Sequence, residues 1–264
     1  EVENGIRMCL YQGYPDLYMQ TSKPAQWNYC PDWYRGMDYP KERERGYNAT
    51  EDLLVPGYFE MPIKKGETIT FSAGIAPIKP EQIDVMLEKE IANIDHRDSF
   101  YHCLVNAAHQ FRATKDDESY ILAGYPWFKP RARDTFISMP GLTLAIGEKD
   151  RFEAYMATAE KALYNFMHKE PMSVDIYEME QPDTLLWATW TIQQYAKYTS
   201  RKACYEKYGK LLKDIMAFIW KGLHPNLFLH ENGLLYANGR DHAITWMNSQ
   251  DGGRPVVPRS GYIV

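Results

Sequence analysis

The chain has 264 residues, 45% of them hydrophobic and 25% charged, with a formal net charge of −5. That length holds one large domain or two smaller ones, and the composition is ordinary for a globular protein. The acidic balance argues against a nucleic-acid surface, which needs a basic stripe. No apolar run approaches the ~20 residues of a membrane span, and EVENGIRMCLYQG at the N-terminus has neither region of a signal peptide.

Other features narrow the chemistry. Cys9, Cys30, Cys103 and Cys204 are scattered and form no CxxC pair, so no zinc site is expected, and four buried thiols in a reducing, cytoplasmic setting are expected. Asn48-Ala49-Thr50 is a glycosylation sequon in form only. HExxH, P-loop and GxGxxG patterns do not occur. The first residue is Glu1, and the sequence opens in what reads as mid-strand, so a piece of a longer protein is expected.

In chain order, residues 1–73 read as β-structure. IRMCLYQ and DLYMQTS are short, apolar and aromatic, separated by the turn Gly13-Tyr14-Pro15. Residues 31–48, with Lys41-Glu42-Arg43-Glu44-Arg45, read as a solvated, ion-paired loop. YFEMPIKKGETITFSAG then reads as a hairpin turning at Lys64-Lys65-Gly66-Glu67. Residues 74–80, with two prolines, form a linker.

Helical periodicity follows. Ile83, Met86, Leu87, Ile91 and Ile94 share one face, and residues 74–90 are taken as linker and first helix. Asp98 or Ser99 caps the next helix, which carries Phe100, Cys103, Leu104, Ala107, Ala108 and Phe111. His102 and His109 beside it read as structural histidines, since no second metal-type residue sits at i+4. Further helices are expected over 135–145, kinked at Pro140, and over 151–168, 183–198 and 200–222. LFLHENGLLYANG reads as a hairpin around Asn232-Gly233, followed by a Gly-, Pro- and Arg-rich loop. Successive helices without alternating strands predict a mainly α fold behind an N-terminal β segment.

The chain is organised around residues 120–147, SYILAGYPWFKPRARDTFISMPGLTLAIG. Clustered aromatics, then Arg133-Asp134 at the mouth of a helix, suit a polyhydroxylated ligand. Sugar C–H faces lie on aromatic rings, and sugar hydroxyls need fixed donors and acceptors. Equally, Asp134 is placed to serve as an N-cap or first-turn acid, with the aromatics in the core.

AGYPWF…RDTFISMPGLTLA closely resembles the glycogen debranching enzymes, in their amylo-α-1,6-glucosidase part. Asp183-Thr184-Leu185-Leu186-Trp187 and TWMNSQDGGRPVVPRSGYIV match the same family, and WNYCPDWYRGMDYPKERERGYNATEDLLVPGYFE resembles the end of its N-terminal domain. The resemblance implies the end of a β-sandwich-like domain over 1–73 and the first half of an (α/α)6 toroid over 91–264. It implies an inverting glycoside hydrolase acting on α-1,6 branch points of glycogen or a related glucan. Such chemistry uses two carboxyl groups ~6.5–9.5 Å apart and no metal or organic cofactor.

Residue by residue, the resemblance makes Asp183 the general acid, with Asp134 as a second candidate. Without it, Asp183 reads as a plain N-cap with an exposed carboxylate. The Arg133–Asp134 pair would grip the terminal glucose, and Tyr125, Trp127, Trp187 and Trp246 would offer stacking faces or core packing. Arg254 and Arg259, in a Gly/Pro loop, would meet ligand or a neighbouring carboxylate. The sequence departs from the family at Arg131-Ala132, where a Trp and a Gly are usual, at Asn248, usually Asp, and at 178–182 ahead of Asp183. Family relatives place the base late in the toroid, so the isolated chain is expected to be inactive; Glu231 and Asp251 match no motif for it. A trehalase-like or oligosaccharide-trimming glycosidase, or a glucan-binding protein without turnover, are the alternative readings.

Overall fold

The computed structural model describes residues 2–94, 96–124, 128–241 and 243–259, and the backbone of 261–263. The chain divides into two compact units, Glu1–Ile94 and Asp95–Val264.

In the first unit, β1 (Gly5–Met8) pairs antiparallel with β2 (Leu17–Thr21). β3 (Gln26–Asp38) runs into a short helix α1 (Pro40–Glu44), then returns as β4 (Thr50–Glu60) in a two-stranded ribbon. β5 (Phe71–Gly74) pairs with β2, and α2 (Pro80–Asn93) follows. Buried Gln20 on β2 fastens the sheet to the following segment. Its Nε2 donates to the carbonyls of Glu3 and Ile78, and its Oε1 accepts from the Ile78 N–H at 2.8 Å. A buried amide is tolerable only when its polar atoms are satisfied in this way.

Three expectations change here. Residues 31–38 are strand rather than loop, and the charged run holds α1, with Pro40 at its first turn. Proline suits that position because the missing N–H has no intrahelical acceptor there. β4 and β5 form no hairpin with each other; the turn at residues 64–67 exists, closed by Glu67 N–H to the Lys64 carbonyl at 3.0 Å, but the strands on either side pair elsewhere. The apolar stripe on α2 is largely exposed, with Ile83 buried and Met86, Leu87, Ile91 and Ile94 open.

The second unit begins with α3 (Phe100–Gln110), capped by Ser99, whose Oγ accepts from the His102 N–H. A hairpin unforeseen from the sequence follows, β6 (Arg112–Lys115) and β7 (Glu118–Ile121). It turns on Asp116 and Asp117, both left-handed (φ 50° and 63°), as a two-residue hairpin turn demands. Then come α4 (Ala132–Leu142), a 3-10 turn (Leu144–Ile146), α5 (Lys149–His168), α6 (Thr184–Tyr198) and α7 (Arg201–Trp220). β8 (Leu227–Leu229) and β9 (Leu235–Ala237) form the expected hairpin; β10 (Gln250–Asp251) and β11 (Arg254–Pro255) form a separate two-stranded ribbon, and β12 (Gly261–Ile263) pairs with β9.

The core lies between α4, α5, α6 and α7. On α5, Phe152, Tyr155, Met156, Ala159, Ala162 and Leu163 recur at helical spacing, and on α6 so do Leu185, Ala188, Ile192 and Tyr195. Each large apolar side chain buried here stabilises the fold by roughly 1.5–3 kcal/mol. Phe152 stacks on Tyr195 at 5.2 Å, with Tyr208 edge-on to both. Burial, and the bond from its hydroxyl to Glu153, push the Tyr195 phenol up to about 12. Of the four thiols expected to be buried, Cys204 on α7 alone is; Cys9, Cys30 and Cys103 are exposed.

Pro140 decides how α4 meets α6. Without an N–H, it cannot serve the carbonyl of Phe136 one turn back. The fully buried Thr191 on α6 brings a donor to that carbonyl, its hydroxyl 2.6 Å from the Phe136 carbonyl and 2.9 Å from the Trp187 carbonyl of its own helix, so its one proton goes to the nearer of the two. Thr191→Val removes that donor at nearly constant volume and should cost about 1–3 kcal/mol, because a buried carbonyl is left unpaired. Adding Pro140→Ala, which restores the backbone donor, should recover part of the loss in urea unfolding; strictly additive effects would refute the coupling.

Candidate active site

The site is assembled by a backbone splice. Residues 130–132 run extended into α4, and the Tyr177 N–H donates to the Pro130 carbonyl at 3.0 Å while the Ala132 N–H donates to the Tyr177 carbonyl at 2.9 Å. Val174, Ile176 and Met179 bury the inner face of this second segment. Glu178 then turns the chain in the left-handed conformation (φ 63°), and the path leads through Gln181 and Pro182 to Asp183 at the start of α6.

Arg133 and Asp183 meet across this junction. Arg133 Nε donates to Asp183 Oδ2 and Nη2 to Oδ1, both at 2.8 Å, and Nη2 also reaches Gln181 Oε1 at 3.4 Å. The Arg133 side chain is 3% exposed and that of Asp183 15%. One turn along α6, Trp187 Nε1 donates to Asp183 Oδ2 at 3.2 Å. Asp183 makes no side-chain cap for its own helix, so it is not the exposed N-cap that its position allows. Oδ2 accepts two hydrogen bonds and Oδ1 one, which leaves a lone pair free on Oδ1.

Asp134 points elsewhere. It lines a hollow of about 230 Å³ together with Phe111, Ile121, Leu122, Ala123, Ile137, Ser138 and Leu142. Among the described residues its carboxylate has no ion-pair partner, so it is open to a ligand. The two members of the expected sugar grip therefore differ: Arg133 is committed to Asp183, and Asp134 faces open space.

The remaining candidates are spread out. Tyr125 and Trp127 lie outside the described residues. Trp187 is half-buried and edge-on to Trp190 at 5.5 Å, its polar end spent on Asp183. Trp246 is 70% exposed, and Arg254 and Arg259 are exposed on the C-terminal loop. Arg259 is fixed through its backbone, its N–H donating to the Gly239 carbonyl at 2.8 Å; a side chain on Gly239 would collide with the Arg259 carbonyl. Arg131 lies over the Phe128 ring at 4.9 Å and pairs with Glu178 at 3.5 Å. Among the described residues, no group of His, Cys, Asp and Glu is placed to hold a metal ion. His109 bonds to Glu148 at 2.9 Å and His102 to Asp98.

Two family comparisons fit this geometry. Residues 1–70 match the family described as "Glycogen debranching enzyme N terminal", and residues 99–264 match "Amylo-alpha-1,6-glucosidase". The second match spans more than half of the chain. This chain belongs to the amylo-alpha-1,6-glucosidase family. No curated protein and no solved structure matched it. Membership in the amylo-alpha-1,6-glucosidase family supports a glycoside hydrolase acting on glucans. No helix among the described residues is long and apolar enough to cross a membrane.

Gln181 and His224 were not picked out from the sequence. Gln181 lacks any motif, and its part is set by Arg133. His224 is 1% exposed, ringed by Phe166 and Phe218, with Nδ1 accepting from the Asn226 N–H at 3.0 Å. A lone histidine after a helix gives no sequence signal for this.

Two predictions follow from this geometry. Arg133→Lys keeps the charge but not the two-pronged bond, and should cost about 1–3 kcal/mol in urea unfolding. Burial lowers the His224 imidazole to about 4 from an ordinary 6.5. Between those values the unfolded chain binds a proton that the folded chain refuses, so stability falls as the pH drops from 6.5 towards 4, by roughly 2–3 kcal/mol. His224→Asn should flatten that slope of unfolding free energy against pH.

Proposed function

We propose that the protein hydrolyses α-1,6-linked glucose at the branch points of glycogen or a related glucan, with inversion. The observation that carries the reading is the Arg133–Asp183–Trp187 cluster at the splice of two family-matching motifs. Residues 1–73 form the end of a β-sandwich-like domain, residues 74–90 a linker and first helix, and the helices of 91–264 belong to an (α/α)6 toroid. Substrate is a branched α-glucan or oligosaccharide, no cofactor is required, and the setting is cytoplasmic.

Asp183 is the general acid, and its free lone pair on Oδ1 is where the proton sits and the glycosidic oxygen approaches. Arg133, Gln181 and Trp187 fix that carboxyl in place. Asp134 and its hollow take the terminal glucose, and Trp246, Arg254 and Arg259 contact substrate from the C-terminal loop, with Tyr125 and Trp127 as stacking faces. The water-activating carboxylate is unassigned: Glu231 and Asp251 are exposed and match no motif for the role.

One observation favours a second assignment. A two-pronged guanidinium already occupies the Asp183 carboxyl, whereas Asp134 faces an otherwise mostly apolar hollow in which no side chain of the protein pairs with it among the described residues. Asp134 is then the acid and Asp183 an anchor.

Glucose release from a glucosyl-branched maltooligosaccharide by the full-length protein, since the isolated chain is expected to lack the base, separates these readings. Asp183→Asn should lower kcat by about 100-fold or more with binding retained. Asp183→Glu, which keeps the charge for Arg133, guards against a folding defect and should also lose most turnover. If both keep their activity while Asp134→Asn loses it, Asp134 is the acid. Glucan binding without turnover by the unaltered enzyme would favour a binding protein, and turnover of trehalose instead would favour another linkage.

A further inference from the structure

We propose that the turn His224–Asn226, between α7 and β8, is a latch that positions Asp183 for catalysis. The inference rests on the reading of Asp183 as a residue of the reaction.

The loop carrying Asp183 has few anchors of its own. Its turn at Glu178 is closed by long bonds, Gln181 N–H and Thr184 Oγ1 both reaching the Glu178 carbonyl at 3.5 Å. A left-handed glutamate costs about 1 kcal/mol, so this conformation needs support from outside the loop. The Arg131–Glu178 pair at 3.5 Å holds one end of the turn, and the His224–Asn226 turn holds the other. Asn226 Nδ2 donates to the Glu180 carbonyl at 3.1 Å, three residues before Asp183.

His224 holds Asn226 in that pose. Because its Nδ1 accepts the Asn226 N–H, the neutral ring carries its proton on Nε2. Nε2 is buried and makes no hydrogen bond of normal geometry among the described residues, so the ring is held through Nδ1 and by Phe166 and Phe218 around it. Gln181, next after Glu180, offers its side-chain oxygen to Arg133 at 3.4 Å. A path of contacts thus runs from His224 and Asn226, through the backbone of 180–181, to both partners of the ion pair. The α7–β8 turn touches neither Arg133 nor Asp183 by any described hydrogen bond, so its role is to position.

The test compares Asn226→Asp, which is isosteric but removes the donor to Glu180, with the unaltered enzyme. Glucose release should show kcat lower by about 10- to 100-fold with KM within about twofold, the pattern of a misplaced catalytic group. In protein labelled with ¹⁵N at tryptophan, the indole N–H resonance of Trp187, assigned with Trp187→Phe, should move towards the value of a free indole, because the Asp183 carboxylate has shifted. Asn226→Gln, which keeps an amide donor, should recover part of both effects. If Asn226→Asp leaves kcat and the Trp187 resonance unchanged, the latch is refuted. If instead Asp183→Asn keeps full activity, the reading of Asp183 fails, while the Trp187 resonance still decides whether the turn fixes the carboxylate.

Discussion

The second unit is built around one buried ion pair. Taking the Arg133 guanidinium out of water costs several kcal/mol, and only good geometry with additional hydrogen bonds offsets it. The pair has both, through two bonds at 2.8 Å and further contacts from Gln181 and Trp187. The requirement is positional as much as energetic. Arg133 lies in the first turn of α4 and Asp183 directly before α6, so the two helices must begin within one side chain of each other. A slip of one residue along α6 would rotate it by about 100° and carry Trp187 away from the carboxylate.

Several independent devices hold that register. The backbone splice of Tyr177 with Pro130 and Ala132 sets the approach to α4 from outside the helices. Thr191 sets the helix–helix contact from inside, because Pro140 leaves the Phe136 carbonyl in need of a donor. A proline that looks like a defect in α4 is thus a reason for α6 to lie where it does. The splice lies ahead of both helices and the threonine about two turns into α6, so together they fix direction as well as position.

How much of this was legible in the sequence depends on whether a residue's role is local. The helices were legible because apolar residues recur at 3.6-residue spacing, even on α2 where the stripe stays largely exposed, and Ser99 caps α3 as one of the two residues expected to do so. The β3–β4 ribbon was not: with Tyr29, Trp33, Tyr34 and Leu54 all exposed, it shows no alternation between a wet and a dry face. The Asp116-Asp117 turn lacks the glycine by which such hairpins are usually recognised. At the site, Arg133, Asp134 and Asp183 stood out by family resemblance. That Arg133 would be spent on Asp183, fifty residues on, has no local signature. Gln181, His224 and Asn226 were invisible for the same reason, since each acts on backbone or side chains that only the fold brings near.

The departures from the family pattern have a common location. Arg131 and Glu178 both lie in stretches where the sequence departs from the family, and in the structure these two pair with each other at 3.5 Å. Arg131 also covers one face of Phe128 at 4.9 Å, an aromatic ring beside the site that the charge holds in place. A glutamate is a poor choice for a left-handed turn on backbone grounds, and a salt bridge between half-exposed groups is worth at most about 1 kcal/mol. The two terms are of similar size, so the exchange is close to neutral for stability. What the pair adds is a charged rim of Arg131 and Glu178 beside the Phe128 ring. Arg131 stands two residues before Arg133 and Glu178 five before Asp183, so the charge at this rim and the geometry of the buried ion pair are set by different side chains on the same two segments.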